Sequence, residues 1–94
     1  MKYPIKHEEN EGRGTFYMSD DNGIVSELTY ELRNGTMAVD HTETRDNLKG
    51  QGLASQVLDF VVNYARENRL KIRPICPFVK TKFNEIPSYN DVRA

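Results

Sequence analysis

Two side chains in this chain of 94 residues could take part in bond making near neutral pH. His41 carries an imidazole, a side-chain type that suits a general base near neutral pH that removes a proton from an amine or a thiol. Cys76 carries the one thiol, a strong nucleophile once a neighbouring base removes its proton. The alternatives are an inert, hydrogen-bonded strand histidine and a cysteine that fills a small apolar space in the core.

A different chemistry is indicated by the two glycines of RDNLKGQG, residues 45 to 52. Gly50 and Gly52 precede a predicted long helix, whose first N–H groups lack acceptors and carry partial positive charge. Glycines allow a phosphate to approach these donors closely, and Arg45 and Lys49 add positive charge beside them. The segment lacks the Gly-Lys-Ser/Thr of a P-loop and the third glycine of a dinucleotide-binding turn. An ordinary loop without a ligand is the alternative.

The composition excludes several function classes. Thirteen basic and fourteen acidic residues give a net charge of −1, whereas a general nucleic-acid binder needs a basic excess. No apolar run approaches the roughly 20 residues of a membrane span, and the first 14 residues lack the apolar core of a secretion signal. A single cysteine cannot form an internal disulfide, which favours the cytosol. The length predicts one domain, residues 1–94, and no metal site is predicted.

Hydrophobic periodicity predicts an α+β fold that begins with an antiparallel meander of four strands. Turn signals separate the strands, and Asn34-Gly35 favours a tight type I′ turn. Within the third strand, alternation places Ile24, Leu28, Tyr30 and Leu32 on one face. In the fourth strand, His41 continues the alternation of Met37 and Val39. The predicted strands are residues 3 to 9, 15 to 19, 24 to 33 and 36 to 44.

The second half of the chain changes to a helical period. An amphipathic helix is predicted from about residue 51 to 68, a fifth strand over 70 to 76, and a short helix from about 78 to 84. A strand, a crossover helix and a neighbouring strand imply that the fifth strand lies parallel to the fourth. His41 and Cys76 would then lie on adjacent strands, where they could be neighbours.

Together with the segment NLKGQGLA, residues 47 to 54, this arrangement resembles the GNAT superfamily of acyl-CoA-dependent N-acetyltransferases, in particular its small single-domain bacterial branch. The family motif, Arg/Gln-x-x-Gly-x-Gly/Ala, holds the pyrophosphate of coenzyme A with backbone amides. Gly50, Gly52 and Ala54 match, whereas Asn47 stands in place of the first Arg or Gln. The resemblance extends from about residue 15 to 83 and implies a minimal GNAT-like fold.

The resemblance also implies roles for individual residues. Acetyl-CoA would lie where the fourth and fifth strands diverge, with a backbone N–H of residues 41 to 44 donating to the thioester carbonyl. The acetyl group would pass to an amine, directly or through a thioester on Cys76 with His41 as the base. The implied cofactor-binding residues are Thr42, Glu43, Thr44, Arg45, Lys49, Gly50, Gln51, Gly52, Leu53, Ala54, Phe83 and Asn84.

Departures from the family pattern suggest the kind of acceptor. Typical members have two helices between the first two strands, where this chain has only a turn at residues 10 to 14. The acceptor side is therefore expected to be shallow and open, which favours a protein lysine or N-terminus over a small enclosed amine. The expected partners are acetyl-CoA and an unidentified amine, without nucleic acid or membrane, for a monomer or weak dimer. The alternative is a module that binds coenzyme A or acyl-CoA without turnover.

Overall fold

The computed structural model describes residues 3 to 94, so the first two residues of the N-terminal segment lie outside it. The predicted α+β fold is confirmed, and several boundaries shift by one to three residues. The strands are β1 (Lys6–Asn10), β2 (Arg13–Asp20), β3 (Gly23–Arg33), β4 (Thr36–Thr44) and β5 (Lys71–Pro74). The helices are α1 (Leu53–Glu67) and α2 (Pro77–Glu85), and 3-10 turns span Asp46–Leu48 and Pro87–Val92.

The five strands form one sheet in the order β1-β2-β3-β4-β5. Neighbours among β1 to β4 are antiparallel, and β5 pairs with β4 in parallel, as the crossover through α1 requires. The β3–β4 turn has positive φ at both Asn34 (53°) and Gly35 (78°), the conformation that a type I′ turn needs. The predicted meander and parallel fifth strand are both confirmed.

One face of the sheet carries the core. The helical period of α1 turns Leu53, Val57 and Val61 towards Phe16, Leu28 and their neighbours, and α2 adds Val79 and Phe83 to the same buried cluster. On the opposite face, alternate strand residues such as Thr15, Tyr17 and Thr29 remain partly exposed. Within residues 3 to 94, no helix covers that second face, which we call the open face. None of the helices described is long and apolar enough to span a bilayer.

The predicted alternation of β3 is wrong at its first residue because of a β-bulge. Met18 pairs with Ser26 and Ser19 pairs with Ile24, so Val25 is an extra residue without a partner in β2. An extra residue reverses the side of the sheet on which the flanking side chains lie. Val25 is consequently buried, whereas Ile24 is 44% exposed.

A second bulge changes the direction of His41. Thr29 pairs with His41 and Tyr30 pairs with Val39, which leaves Asp40 as the extra residue in β4. Met37 and Val39 are buried as expected, but the side chain of His41 turns to the open face and is 51% exposed. Asp40 is held on that face by the Thr29 hydroxyl, which donates to its carboxylate at 2.8 Å.

At the other edge of the sheet, β1 is tied to the core through Tyr30. The Tyr30 hydroxyl donates to Glu9 at 2.6 Å and lies 2.5 Å from Nε2 of His7. The His7 ring also stacks on Phe16 at 3.9 Å between centroids, so this histidine, although exposed to solvent, packs its ring against a core residue. Burial lowers the pKa of His7 and raises that of Tyr30.

Candidate functional site

β4 and β5 separate in the middle of β4. Their ladder runs from Thr36 opposite Lys71 to Val39 opposite Pro74. The N–H groups of Ile75 and Cys76 then both donate to the carbonyl oxygen of Val39 at 3.0 Å. In the described residues, β5 offers no partner to the part of β4 after Val39, so the two strands diverge beside residues 40 to 44.

A cavity of about 370 Å³ lies along this diverging part of β4. Its walls come from the end of β4, from the loop and first turn of α1, and from the first turn of α2. Most of the residues that the sequence assigned to the cofactor are therefore brought together. The lining residues are Thr42, Glu43, Thr44, Leu48, Lys49, Gly50, Gly52, Leu53, Ala54, Ser55 and Phe78.

The two glycines give this cavity a wall of bare backbone. Gly50 and Gly52 have φ of 83° and 77°, in the left-handed region that side chains disfavour. Apart from its neighbours in sequence, a Cβ atom at either position would meet no heavy atom of residues 3 to 94 within 4 Å. Gly52 is the N-cap of α1 and offers no side-chain cap, so the N–H groups of the first helical turn are available to an external acceptor.

Of the two basic residues near the glycines, only Lys49 lines the cavity. Its ammonium lies 3.1 Å from the carboxylate of Asp46. Arg45 is outside the cavity, contrary to the sequence assignment, because its guanidinium donates two hydrogen bonds of 2.8 Å to Asp20. A further pair of hydrogen bonds, each 3.1 Å, reaches the carbonyls of Gly23 and Ile24. Through these hydrogen bonds, Arg45 links the β2–β3 turn to the end of β4.

Three other assigned residues do not line the cavity either. Phe83 is 2% exposed and packs in the core against Tyr89, Asn84 accepts a hydrogen bond from Arg93, and Gln51 is exposed to solvent. Phe78 lines the cavity instead. Five residues along a helix correspond to about 140° of rotation, so burial of Phe83 turns Phe78 to another side.

Leu48 and Ser55 line the cavity but were missed by the sequence assignment. Leu48 precedes the glycines in the 3-10 turn, and Ser55 lies in the first turn of α1. Residues directly flanking a glycine-rich helix start are a local signal that would have included both.

Cys76 lies two residues beyond the end of the strand in which it was predicted. β5 ends at Pro74, and Cys76 is the N-cap of α2, with a relative exposure of 7%. Burial is the largest influence on its thiol and raises the pKa. Hydrogen bonds from the Thr42 hydroxyl and from the N–H groups of Val79, Phe78 and Thr42 outweigh burial, so the net pKa is lowered.

The structure does not bring His41 to Cys76. The side-chain partner of the sulfur is Thr42, whose Oγ1 lies 3.3 Å from Sγ. Adjacent residues of a strand point to opposite faces, so His41 lies on the open face while Thr42 faces α2. Nε2 of His41 lies 3.4 Å from the Glu43 carboxylate. A ring nitrogen of His41 and one carboxylate oxygen each from Glu27 and Glu43 lie within 4.8 Å of one another.

This geometry coincides with a match to a family model. The model described as GCN5-related N-acetyltransferase matches residues 15–92, which is most of the chain. The chain belongs to this family. Members of this family transfer acetyl groups from acetyl-CoA to amines. The β4–β5 gap and the glycine-lined cavity are features of the family fold, which this chain has in a small form. A search of curated proteins finds no match to the sequence.

Solved structures support the same assignment. A GCN5-like protein from Staphylococcus aureus, determined in solution by NMR, is 37% identical, with a TM-score of 0.73 over 95% of this chain and 87% of that one. Ribosomal-protein-alanine N-acetyltransferase from Brucella melitensis biovar Abortus 2308 is 16% identical, with a TM-score of 0.62 over 82% of this chain and 64% of that one. Aminoglycoside N-acetyltransferase AAC(6')-Iy, crystallised with CoA, is 9% identical, with a TM-score of 0.61 over 87% of this chain and 88% of that one. The last two share the fold alone.

Proposed function

We propose that this GNAT-family protein works as a single cytosolic domain that binds acetyl-CoA and transfers the acetyl group to an amine of a large acceptor. The observation that carries the proposal is the divergence of β4 from β5 after Val39, directly beside the glycine-lined cavity. A thioester fits between diverging strands because unpaired backbone N–H groups of β4 can donate to its carbonyl.

The residues around the cavity suit the diphosphate of coenzyme A. Gly50 and Gly52 leave open space where side chains would otherwise project, and the first N–H groups of α1 lie behind them. A helix N-terminus of this kind attracts anions. Phe78 adds an apolar wall that suits the pantetheine arm. Bound there, acetyl-CoA would supply an activated acetyl group.

The acceptor is proposed to approach from the open face. Glu43 lines both the glycine-lined cavity and another cavity of about 240 Å³, whose other lining residues are Ile24, Val25, Glu27 and Arg45. The carboxylates of Glu27 and Glu43 stand close together beside His41, so they attract a cationic amine. His41 is then placed to remove a proton from that amine. A face without covering helices leaves room for a protein acceptor.

Two chemical routes are compatible with this site. In the direct route, the amine attacks the thioester carbonyl and coenzyme A leaves as a thiolate that takes up a proton. In the covalent route, the Cys76 sulfur forms the new C–S bond as the bond to coenzyme A breaks, and the amine later displaces Cys76. The lowered thiol pKa of Cys76 supports the covalent route.

Calorimetry with acetyl-CoA and with free coenzyme A tests the binding step, and we expect both to bind. Absence of binding by either compound would overturn the proposal. Intact-mass analysis and transfer to lysine peptides then test turnover. Binding without acetyl uptake and without transfer would indicate a binding module instead. An added acetyl group that is lost in Cys76→Ala would support the covalent route, and undiminished transfer by Cys76→Ala would support the direct one.

A further inference from the structure

The bulge in β4 decides which side chain meets the sulfur of Cys76. If β4 had no bulge, Asp40 would pair with Thr29, and His41 would lie opposite Leu28 on the core face of the sheet. With the bulge, Leu28 pairs with Thr42 instead. The hydroxyl of Thr42 therefore lies on the side of β4 that faces α2, 3.3 Å from Sγ of Cys76.

The surroundings of the sulfur favour a donor at this position. Cys76 is the N-cap of α2 and is 7% exposed, so water stabilises its charge only weakly. A threonine hydroxyl can rotate, accepting from a thiol or donating to a thiolate. Thr42 also lines the 370 Å³ cavity, which places its hydroxyl next to the space assigned to acetyl-CoA.

We propose that Thr42 is a positioning residue whose hydroxyl donates a hydrogen bond to the Cys76 sulfur and holds it, ionised, beside the cavity. This role presupposes the covalent route proposed above. When the sulfur forms its bond to the acetyl carbon, its negative charge passes to the departing thiolate of coenzyme A. Thr42 then no longer faces an anion, and the hydrogen bond weakens.

The test is the ionisation of Cys76 in the protein without ligand. Since this is the one cysteine of the chain, thiolate absorbance near 240 nm, with Cys76→Ser subtracted, reports on this residue alone. Thr42→Val keeps the shape of the side chain but removes the donor. We expect its titration midpoint to rise by about one pH unit, a roughly tenfold smaller thiolate fraction below the midpoint. Thr42→Ser keeps the hydroxyl and should titrate like the wild type.

Thr29→Val is the matched control, because it removes a β3 hydroxyl that bonds Asp40 on the open face and should leave the midpoint unchanged. An unchanged midpoint in Thr42→Val, or an equal rise in Thr42→Ser, would overturn the proposal. If Thr42→Val does not fold, as judged by its amide spectrum, Thr42→Ala replaces it with the same expected result.

A second measurement separates this role from packing. The rate of acetyl uptake by Thr42→Val should fall about tenfold near neutral pH and approach the wild-type rate once alkaline pH ionises the thiol directly. An equal loss at every pH would indicate a packing role and overturn the proposal. If the wild type takes up no acetyl group, the covalent route fails, while the absorbance titration still tests the contact.

Discussion

The guanidinium of Arg45 meets the carboxylate of Asp20 in two parallel hydrogen bonds of 2.8 Å each. Arg45 directly follows β4, and Asp20 ends β2, so the pair links the ends of two strands that flank the start of β3. The backbone N–H of Arg45 also donates to the carbonyl of Val25 at 2.8 Å. These contacts hold the β2–β3 turn beside the candidate site, and they direct the guanidinium of Arg45 to Asp20, outside the glycine-lined cavity.

Acid should weaken this link in a defined pH range. The hydrogen bonds from Arg45 lower the pKa of Asp20 to about 2 in the folded chain, below the ordinary value near 4 of the unfolded chain. The resulting stabilisation is complete above about pH 4 and is lost as the pH falls towards 2. Melting temperatures from pH 5 to 2 should fall less steeply in Asp20→Asn than in the wild type.

Asp21→Asn, the neighbouring substitution in the same turn, is the control and should keep the wild-type slope. Equal slopes in Asp20→Asn and the wild type would show that the ion pair contributes nothing to acid stability.

Substitution of the site glycines should separate binding from folding. Gly50→Ala and Gly52→Ala each place a methyl group in open space at a left-handed φ, which costs about 1 to 2 kcal/mol of stability. Gly35 has a φ of 78° and equally open surroundings, but it lies in the β3–β4 turn. All three variants should lose similar stability in urea, and only those at 50 and 52 should bind acetyl-CoA about tenfold or more weakly by calorimetry. If Gly35→Ala weakened acetyl-CoA binding equally, the loss of affinity would be explained by backbone strain and not by a blocked binding site.

The space beside Gly14 is filled by Tyr30, which makes this glycine sensitive to substitution. A Cβ atom at Gly14 would overlap the Tyr30 ring, so Gly14→Ala should destabilise the fold by about 1 to 3 kcal/mol. In a Tyr30→Leu background the same substitution should cost less, because the ring is gone. A double-mutant cycle in urea measures this coupling, and additive effects would contradict the predicted overlap.

Replacement of the exposed histidine should affect transfer more than binding. His41→Ala should lower kcat about 100-fold, the typical contribution of a general base, while the Kd for acetyl-CoA changes less than twofold. His7→Ala, at the opposite edge of the sheet, is the control and should retain kcat. Undiminished turnover in His41→Ala would remove its proposed role as the base.

The sequence by itself determined the elements and their order. The helical period of residues 53 to 67, the Asn34-Gly35 turn and the alternation in β4 up to Val39 are local patterns, and the structure confirms each. The glycines at 50 and 52 also predicted the start of the helix whose first turn lines the cavity. Local patterns are reliable here because backbone conformation and hydrophobic period depend mainly on residues close in sequence.

Only the tertiary structure decided which side chains meet at the site. The bulges at Val25 and Asp40 depend on how neighbouring strands pair, and each reverses the facing of the residues beside it. For this reason Thr42, rather than His41, contacts Cys76. Arg45 was assigned to phosphate from its neighbours in sequence, but its partner Asp20 lies 25 positions away. A charge binds whichever opposite charge the fold brings nearest, and that distance is not written in the local sequence.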